Sequence, residues 1–289
     1  MDLLSLSLLF VCGLTAGAAS GLFGIGGGSL YVPFLYWVFA SLGGFSNELA
    51  YKSAVIHSLI LVFITASISA RLHLKRGSLD FQSIKIWSLP LAFGVVVIAM
   101  LFSLLPAMLL AVALLCVLAF SAISLLLPQL LHFLQERSRV LAQSTGIGAW
   151  LMNRLLPLMI GAISAAAGTG AGSLGVPSLQ IARSLSAKQA TATAAVFSGL
   201  VGGIASAGVL IGAFAQGFAE PSKARNANLL FDISFVNIYP VIVLTVIIGS
   251  FLSAPFGVFL HGKLNNTTLN KAFAFLIVIV AIDLIRRVL

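Results

Sequence analysis

A seventeen-residue stretch occurs twice in this chain, and that duplication limits the possible folds more than any other feature. Gly17–Pro33 (GAASGLFGIGGGSLYVP) lies over Gly161–Pro177 (GAISAAAGTGAGSLGVP) without a gap, at a shift of 144 residues in a chain of 289, with ten of seventeen positions identical. The shift is half the chain, so the two copies open halves of equal size, each a version of one ancestral unit. Weaker echoes follow: Ala50–Ala54 resembles Ala190–Ala194, and Trp87–Pro90 resembles Asn237–Pro240. The reading is an N-terminal repeat over 1–127, a linker over 128–150 carrying Pro128, Glu136, Arg137 and Arg139, and a C-terminal repeat over 151–289.

Both halves are made of apolar runs. Hydrophobic residues make up 60% of the chain and charged residues 8%, against about 25% charged in an ordinary soluble domain. Apolar segments fall at 3–22, 30–44, 50–70, 84–104, 106–127, 151–167, 172–185, 189–214, 235–260 and 267–288. A bilayer span needs about 20 such residues. The expected fold is therefore an all-α integral membrane protein of about ten segments in two homologous halves. The segments after each glycine motif are short: Leu30–Gly44 carries a Gly-Gly end, and the run from Gly172 stops at Arg183. Twelve or thirteen helical residues reach only about 20 Å, against a hydrocarbon core of about 30 Å. They read as broken or re-entrant helices, or as spans packed inside the protein.

With five crossings per half, the second half enters upside down, and inverted repeats are typical of secondary transporters. Eleven of the sixteen Lys and Arg residues then collect on the even-numbered side, making it cytoplasmic. Four crossings per half give the same split with the termini reversed, so charge does not decide the topology. The net charge of +9 lacks the clustered basic patch of a nucleic-acid binder, so no nucleic acid is expected. Charged runs such as Arg71–Arg76 and Arg286–Arg287 read as interfacial anchors. Cys12 and Cys116 lie in apolar runs and read as buried small hydrophobes. No metal ion or cofactor is expected.

The chemistry is expected at the glycine motifs, Gly24-Ile25-Gly26-Gly27-Gly28-Ser29 and Gly168-Thr169-Gly170-Ala171-Gly172-Ser173. Each interior glycine costs a helix about 1 kcal/mol relative to Ala. Irregular backbone in lipid is tolerated only where it is buried in protein or lines a polar cavity. Unwinding there would expose backbone N–H groups, and the helices starting near Ser29 and Ser173 would aim their positive ends at the same place. Such an arrangement suits an anion. Ser20 and Ser164, also matched between the copies, join the candidate substrate-binding set. The competing reading is that the glycines merely allow close helix packing. Pro33 and Pro177 are assigned to the first turn of the following helix. No P-loop pattern is present, which excludes that mode of nucleotide binding.

His57 is an ionisable group inside an apolar segment and a candidate for proton coupling, although its counterpart in the second half is near Phe197. Lys52 could neutralise an anion or simply snorkel to the interface. Ser53 with Thr193, and Ser58 with Ser198, are matched pairs that could line the same cavity. A proton or sodium ion as the coupling partner, and a homodimer, are left open by the sequence.

The paired motifs GLFGIGGGSLYVP and GTGAGSLGVP resemble the duplicated signature of the TauE/SafE family of sulfite exporter-like membrane permeases. The resemblance covers essentially the whole chain; Ala171 interrupts the second glycine run. It implies a multi-pass permease of the bacterial plasma membrane that moves sulfite or an organosulfonate, with export as the direction. Two other function classes stand beside this one: an anion channel with a glycine-lined constriction, and an intramembrane enzyme pairing Ser29 or Ser173 with His57. No rhomboid-like G-x-S-G supports the enzyme.

Overall fold

The computed structural model of the chain describes residues 3–23, 27–41, 46–127, 133–137, 146–219 and 239–261, together with Phe275, Val278, Ala281, Ile282 and Arg286. Regular structure among the described residues is helical throughout, with no strand. The helices are α1 (Leu3–Phe23), α2 (Gly28–Ser41), α3 (Asn47–Lys75), α4 (Phe81–Leu101), α5 (Ala107–Leu126), α6 (Gly146–Ala167), α7 (Gly172–Arg183), α8 (Ala187–Ala219) and α9 (Tyr239–His261). The order long, short, long, long occurs in both halves. The helix opening the second half starts inside the stretch expected as linker, at Gly146, and widens into a π turn at Leu151–Leu155 before the regular turns of Leu156–Ala167.

Among the described residues, five helices are long and apolar enough to cross a membrane: Asn47–Lys75, Phe81–Leu101, Ala107–Ser124, Gly146–Ala167 and Ala187–Gly208. Shorter apolar stretches lie in α1 and α9. Local signals set the starts. Ser46 Oγ accepts from the Leu49 N–H, and Asp80 Oδ2 accepts from the Ser83 N–H at 2.9 Å, so each caps the helix that follows. Ser186 and Gln189 form a reciprocal capping box at the head of α8.

The halves are bound to each other by two seams of the same design. In the first, α1 packs on α9; in the second, α6 packs on α4. Gly17 lies against the backbone of Ser250, and its repeat mate Gly161 lies against the carbonyl of Leu91. Gly13, Gly249 and Gly257 continue the first seam, and Gly94 the second, each with partner backbone where a Cβ would have to sit. This is close small-residue packing of the kind membrane helices use when apolar burial supplies no net drive. The seams also correct a register. Leu91 stands where Ser250 stands, so the Pro90 and Pro240 echo does not mark equivalent positions.

Contacts between helices fix their relative directions. Along α3 and α8, Gly199 lies by Ser67 and Gly202 by Phe63 and Leu59, so these two helices run in opposite senses. Along α4 and α8, Trp87 stacks on Phe197 and Ala99 lies by Gly208, so these run in the same sense. The helices α3 and α8 form the centre and are far more deeply buried than α4 and α6. Exposed Leu89, Phe93, Val97 and Met100 on α4, at helical spacing, give that helix an apolar outer face.

Candidate functional site

Both glycine motifs interrupt their helices. α6 ends on Gly168, a left-handed C-cap at φ 70°, and Gly170 also has φ 70°. Gly27 has φ 76°, just ahead of α2. These are backbone conformations that glycine adopts without strain. Gly24 and Gly26 lie outside the described residues.

The two interruptions meet. The Gly28 backbone lies against the Thr169 backbone so closely that a Cβ on Gly28 would overlap it. Gly168 nestles against Val32 of α2 and Val55 of α3, and Gly170 against Val62 and Ser198. The Ser58 hydroxyl of α3 donates to the Gly168 carbonyl at 2.7 Å, satisfying one acceptor that the broken helix leaves over. The motifs therefore build one central place from both halves.

Short helices start there. α2 opens with Gly28 and Ser29, and α7 with Gly172 and Ser173, whose N–H groups have no acceptor within the helix, while the Leu30 and Tyr31 N–H groups bond to the Gly27 carbonyl and the Gly175 N–H to the Ala171 carbonyl. With 14 and 12 residues, these helices are about 21 and 18 Å long. Pro33 and Pro177 stand at the sixth position, inside the helix rather than in its first turn as the spacing had suggested. Lacking N–H groups, they withdraw the helical donor from the carbonyls of Ser29 and Ser173.

The serines sharpen the picture. Ser20, Ser29, Ser164 and Ser173 are all buried, and none of their hydroxyls has a hydrogen-bond partner. A serine in a helix ordinarily bonds back to a carbonyl three or four residues earlier. Ser88 and Ser124 do so here, at 2.6 and 2.7 Å. An unsatisfied buried hydroxyl costs about 1–3 kcal/mol, and these four form two repeat-related pairs flanking the motifs. Thr169 is also fully buried, its hydroxyl only 3.2 Å from its neighbour's carbonyl. Ser198, paired with Ser58 as a cavity candidate in the sequence, belongs with them: it is buried, its hydroxyl lacks a partner, and it touches Gly170. Its repeat mate Ser58 gave the available signal.

Other sequence-selected residues lie apart. On α3 the residues that meet the second motif are Val55, Ser58 and Val62. His57 instead pairs its Nδ1 with the Ser53 carbonyl at 2.7 Å and sets its ring edge against Phe39 of α2. Lys52 forms an ion pair with Glu48 at 2.9 Å, one turn away on the same helix, with Glu48 largely exposed. The buried Thr193 accepts from the Asp80 N–H at 3.1 Å, while Arg183 Nε donates to Ser83 Oγ at 3.1 Å. Those two bonds tie the start of α4 to α7 and α8, at one end of the bundle. Tyr31 donates to Ser250, which donates to the Gly13 carbonyl, so α2 is moored to the first seam. At the equivalent place in α7, Gly175 makes only van der Waals contact with Ala194.

Comparison with known proteins agrees with this architecture. A protein of Haemophilus influenzae described as "Probable membrane transporter protein" is 28% identical over 277 residues, covering 96% of this chain and 97% of that one. A further match to a protein so described in the same organism is 33% identical over 89 residues, 30% of this chain and 31% of the other. No solved structure matches. The sequence profile described as "Sulfite exporter TauE/SafE" matches residues 9–284. With nearly every described helix and both glycine motifs inside that span, the chain belongs to the TauE/SafE sulfite exporter family.

Proposed function

We propose that this protein is a secondary transporter that exports a small sulfur-containing anion, sulfite or an organosulfonate, across the bacterial plasma membrane. One observation carries the reading: two repeat-related pairs of buried serines, Ser20 with Ser164 on the helices leading into the glycine motifs and Ser29 with Ser173 at the starts of α2 and α7, keep unpartnered hydroxyls. Hydroxyls and first-turn N–H groups can all donate, and the N-terminal ends of α2 and α7 add positive potential. A bound oxyanion would satisfy them together. The chemistry of these donors supports an anion, and the family description supports sulfite.

The mechanism follows from the topology. We read the halves as an inverted repeat of five segments each, with α2 and α7 as the short second segments. Opposite running of α3 and α8, and the shared direction of α4 and α8, support that arrangement over one with four crossings per half. A site held between inverted halves can be opened to either side by rocking one against the other. The sequence has no P-loop for nucleotide binding, so active export would draw on an ion gradient, of protons or sodium, or on a partner.

The test is flux in proteoliposomes loaded in turn with sulfite, sulfoacetate, sulfate or thiosulfate, under imposed proton or sodium gradients. Movement of a sulfur oxyanion above the rate of empty vesicles, accelerated by one gradient, is expected. If all four stay inside, the substrate assignment is wrong; gradient-independent flux would mark a channel.

A further inference from the structure

Trp87 is an unexplained donor at the depth of the second motif. It is among the largest fully buried side chains, on α4, and its indole Nε1–H has no acceptor. Its ring stacks on Phe197 of α8, with centroids 6.1 Å apart and planes 18° from parallel. The residue after Phe197 is Ser198, whose buried hydroxyl is also unpartnered and which touches Gly170. The indole N–H can only donate. Burying such a donor without an acceptor is costly anywhere and more so within a membrane, where water seldom substitutes.

One turn before Trp87 stands Ser83, bonded by Arg183, and one turn before Phe197 stands Thr193, bonded to Asp80. Trp87 and Phe197 therefore occupy the level between that polar tie, at the end of the bundle, and the motif at its centre. On the other side of the pseudo-symmetric pair, His57 takes the place of Phe197 and faces Phe39. The tryptophan arrangement occurs in one half only.

We propose that the Trp87 indole N–H is a substrate-binding donor, which together with Ser198 extends the oxyanion site from the second glycine motif toward α4. The inference rests on the anion-transporter reading above and adds to it a residue, a direction and a preference. A donor-only group favours an oxyanion that presents a bare acceptor oxygen over one that presents a hydroxyl. The stacked Phe197 holds the indole plane, so the donor is fixed before the anion arrives and loses little entropy on binding.

The test compares wild type with Trp87→Phe, which keeps an aromatic ring against Phe197 and deletes the N–H. Binding of sulfite, sulfoacetate, sulfate and thiosulfate to purified protein is measured by calorimetry, and folding by thermal melting without anion. A hydrogen bond to a charged ligand predicts roughly tenfold or weaker affinity in the variant, with the anion-free melting temperature unchanged or raised because an orphan donor is gone. In a Trp37→Phe, Trp150→Phe background, Trp87 is the sole indole, and its emission should shift on titration with the bound anion. Equal affinity in wild type and Trp87→Phe, or an emission blind to the anion, overturns the assignment while the transporter reading stands. A variant that fails to fold leaves the emission titration to decide. If wild type binds none of the four anions, both readings fall together.

Discussion

The seams and the central crossing use the same small residues to opposite ends. Along α1–α9 and α4–α6, glycines let backbones touch, and Gly17 and Gly161 leave no room for a ligand or a side chain. At the crossing, glycines also bring backbones together, at Gly28 and Thr169, but the polar groups around them are left open. Ser250, in a seam, accepts from Tyr31 and donates to Gly13. Ser29 and Ser173, at the crossing, bond to nothing. Glycine-rich packing alone therefore does not mark a site. What separates the two regions is whether buried polarity is satisfied within the fold.

Substitution in the seam gives the largest effect. Gly161→Leu drives a branched side chain into the Leu91 carbonyl, where neither backbone can retreat without parting α6 from α4. Overpacking of ordinary cores costs about 1–3 kcal/mol, and a rigid backbone contact lies at or beyond the upper end. Loss of the monodisperse, folded species in detergent chromatography is expected. A fully folded variant with normal flux would mean that the seam opens freely and is no scaffold.

At the crossing the opposite pattern is expected. In the double substitution Ser29→Ala, Ser173→Ala, two donors to the anion disappear, and affinity measured by calorimetry should weaken roughly hundredfold. Without anion, the melting temperature should hold or rise, since orphan hydroxyls become apolar groups. Wild-type affinity in a stable double variant would return these serines to mere packing. Gly170 is a poorer probe, because at φ 70° any side chain is strained before it meets Val62.

The duplication explains how much of this was legible. Breaks at Gly27, Gly168 and Gly170 could be read because glycine runs contradict a continuous helix, and the serine pairs because they recur at the 144-residue shift. Tertiary neighbours had no such signature. Gly17 and Gly161 are inside the repeated motif, yet nothing local distinguishes their seam contacts from the exposed amides sought at Gly28. The four-residue echo at Pro90 and Pro240 was too short to fix a register, and packing set Leu91 against Gly161 instead. Trp87 stayed hidden because a lone tryptophan in an apolar run looks like core until its N–H is found without an acceptor. His57 drew attention as an intramembrane ionisable group, but one residue of helical rotation takes it from the face of Ser58 to that of Phe39.

Thr193→Ala tests the region between seam and crossing. It removes the acceptor of the Asp80 N–H and loosens the start of α4 from α8, a cost of about 1 kcal/mol visible as a melting temperature lower by a few degrees. Anion affinity should change less than twofold, since the bond is at the bundle end and not at the motif. A tenfold loss of affinity with unchanged melting would place Thr193 in the site itself.

The smallest effect belongs to Lys52. Its ammonium already has a partner in Glu48, four residues earlier and mostly in solvent, and exposed pairs of that spacing contribute about 0.3–0.5 kcal/mol. Lys52→Gln should therefore leave melting and affinity close to wild type, and raised salt should reproduce most of the difference by screening the pair. An uncharged donor set at the crossing predicts that outcome, because hydroxyls and backbone N–H groups hold the anion there without a nearby lysine. Tenfold weaker binding in Lys52→Gln at constant salt would show that the site needs a full positive charge, and that the pairing with Glu48 is broken when the anion binds.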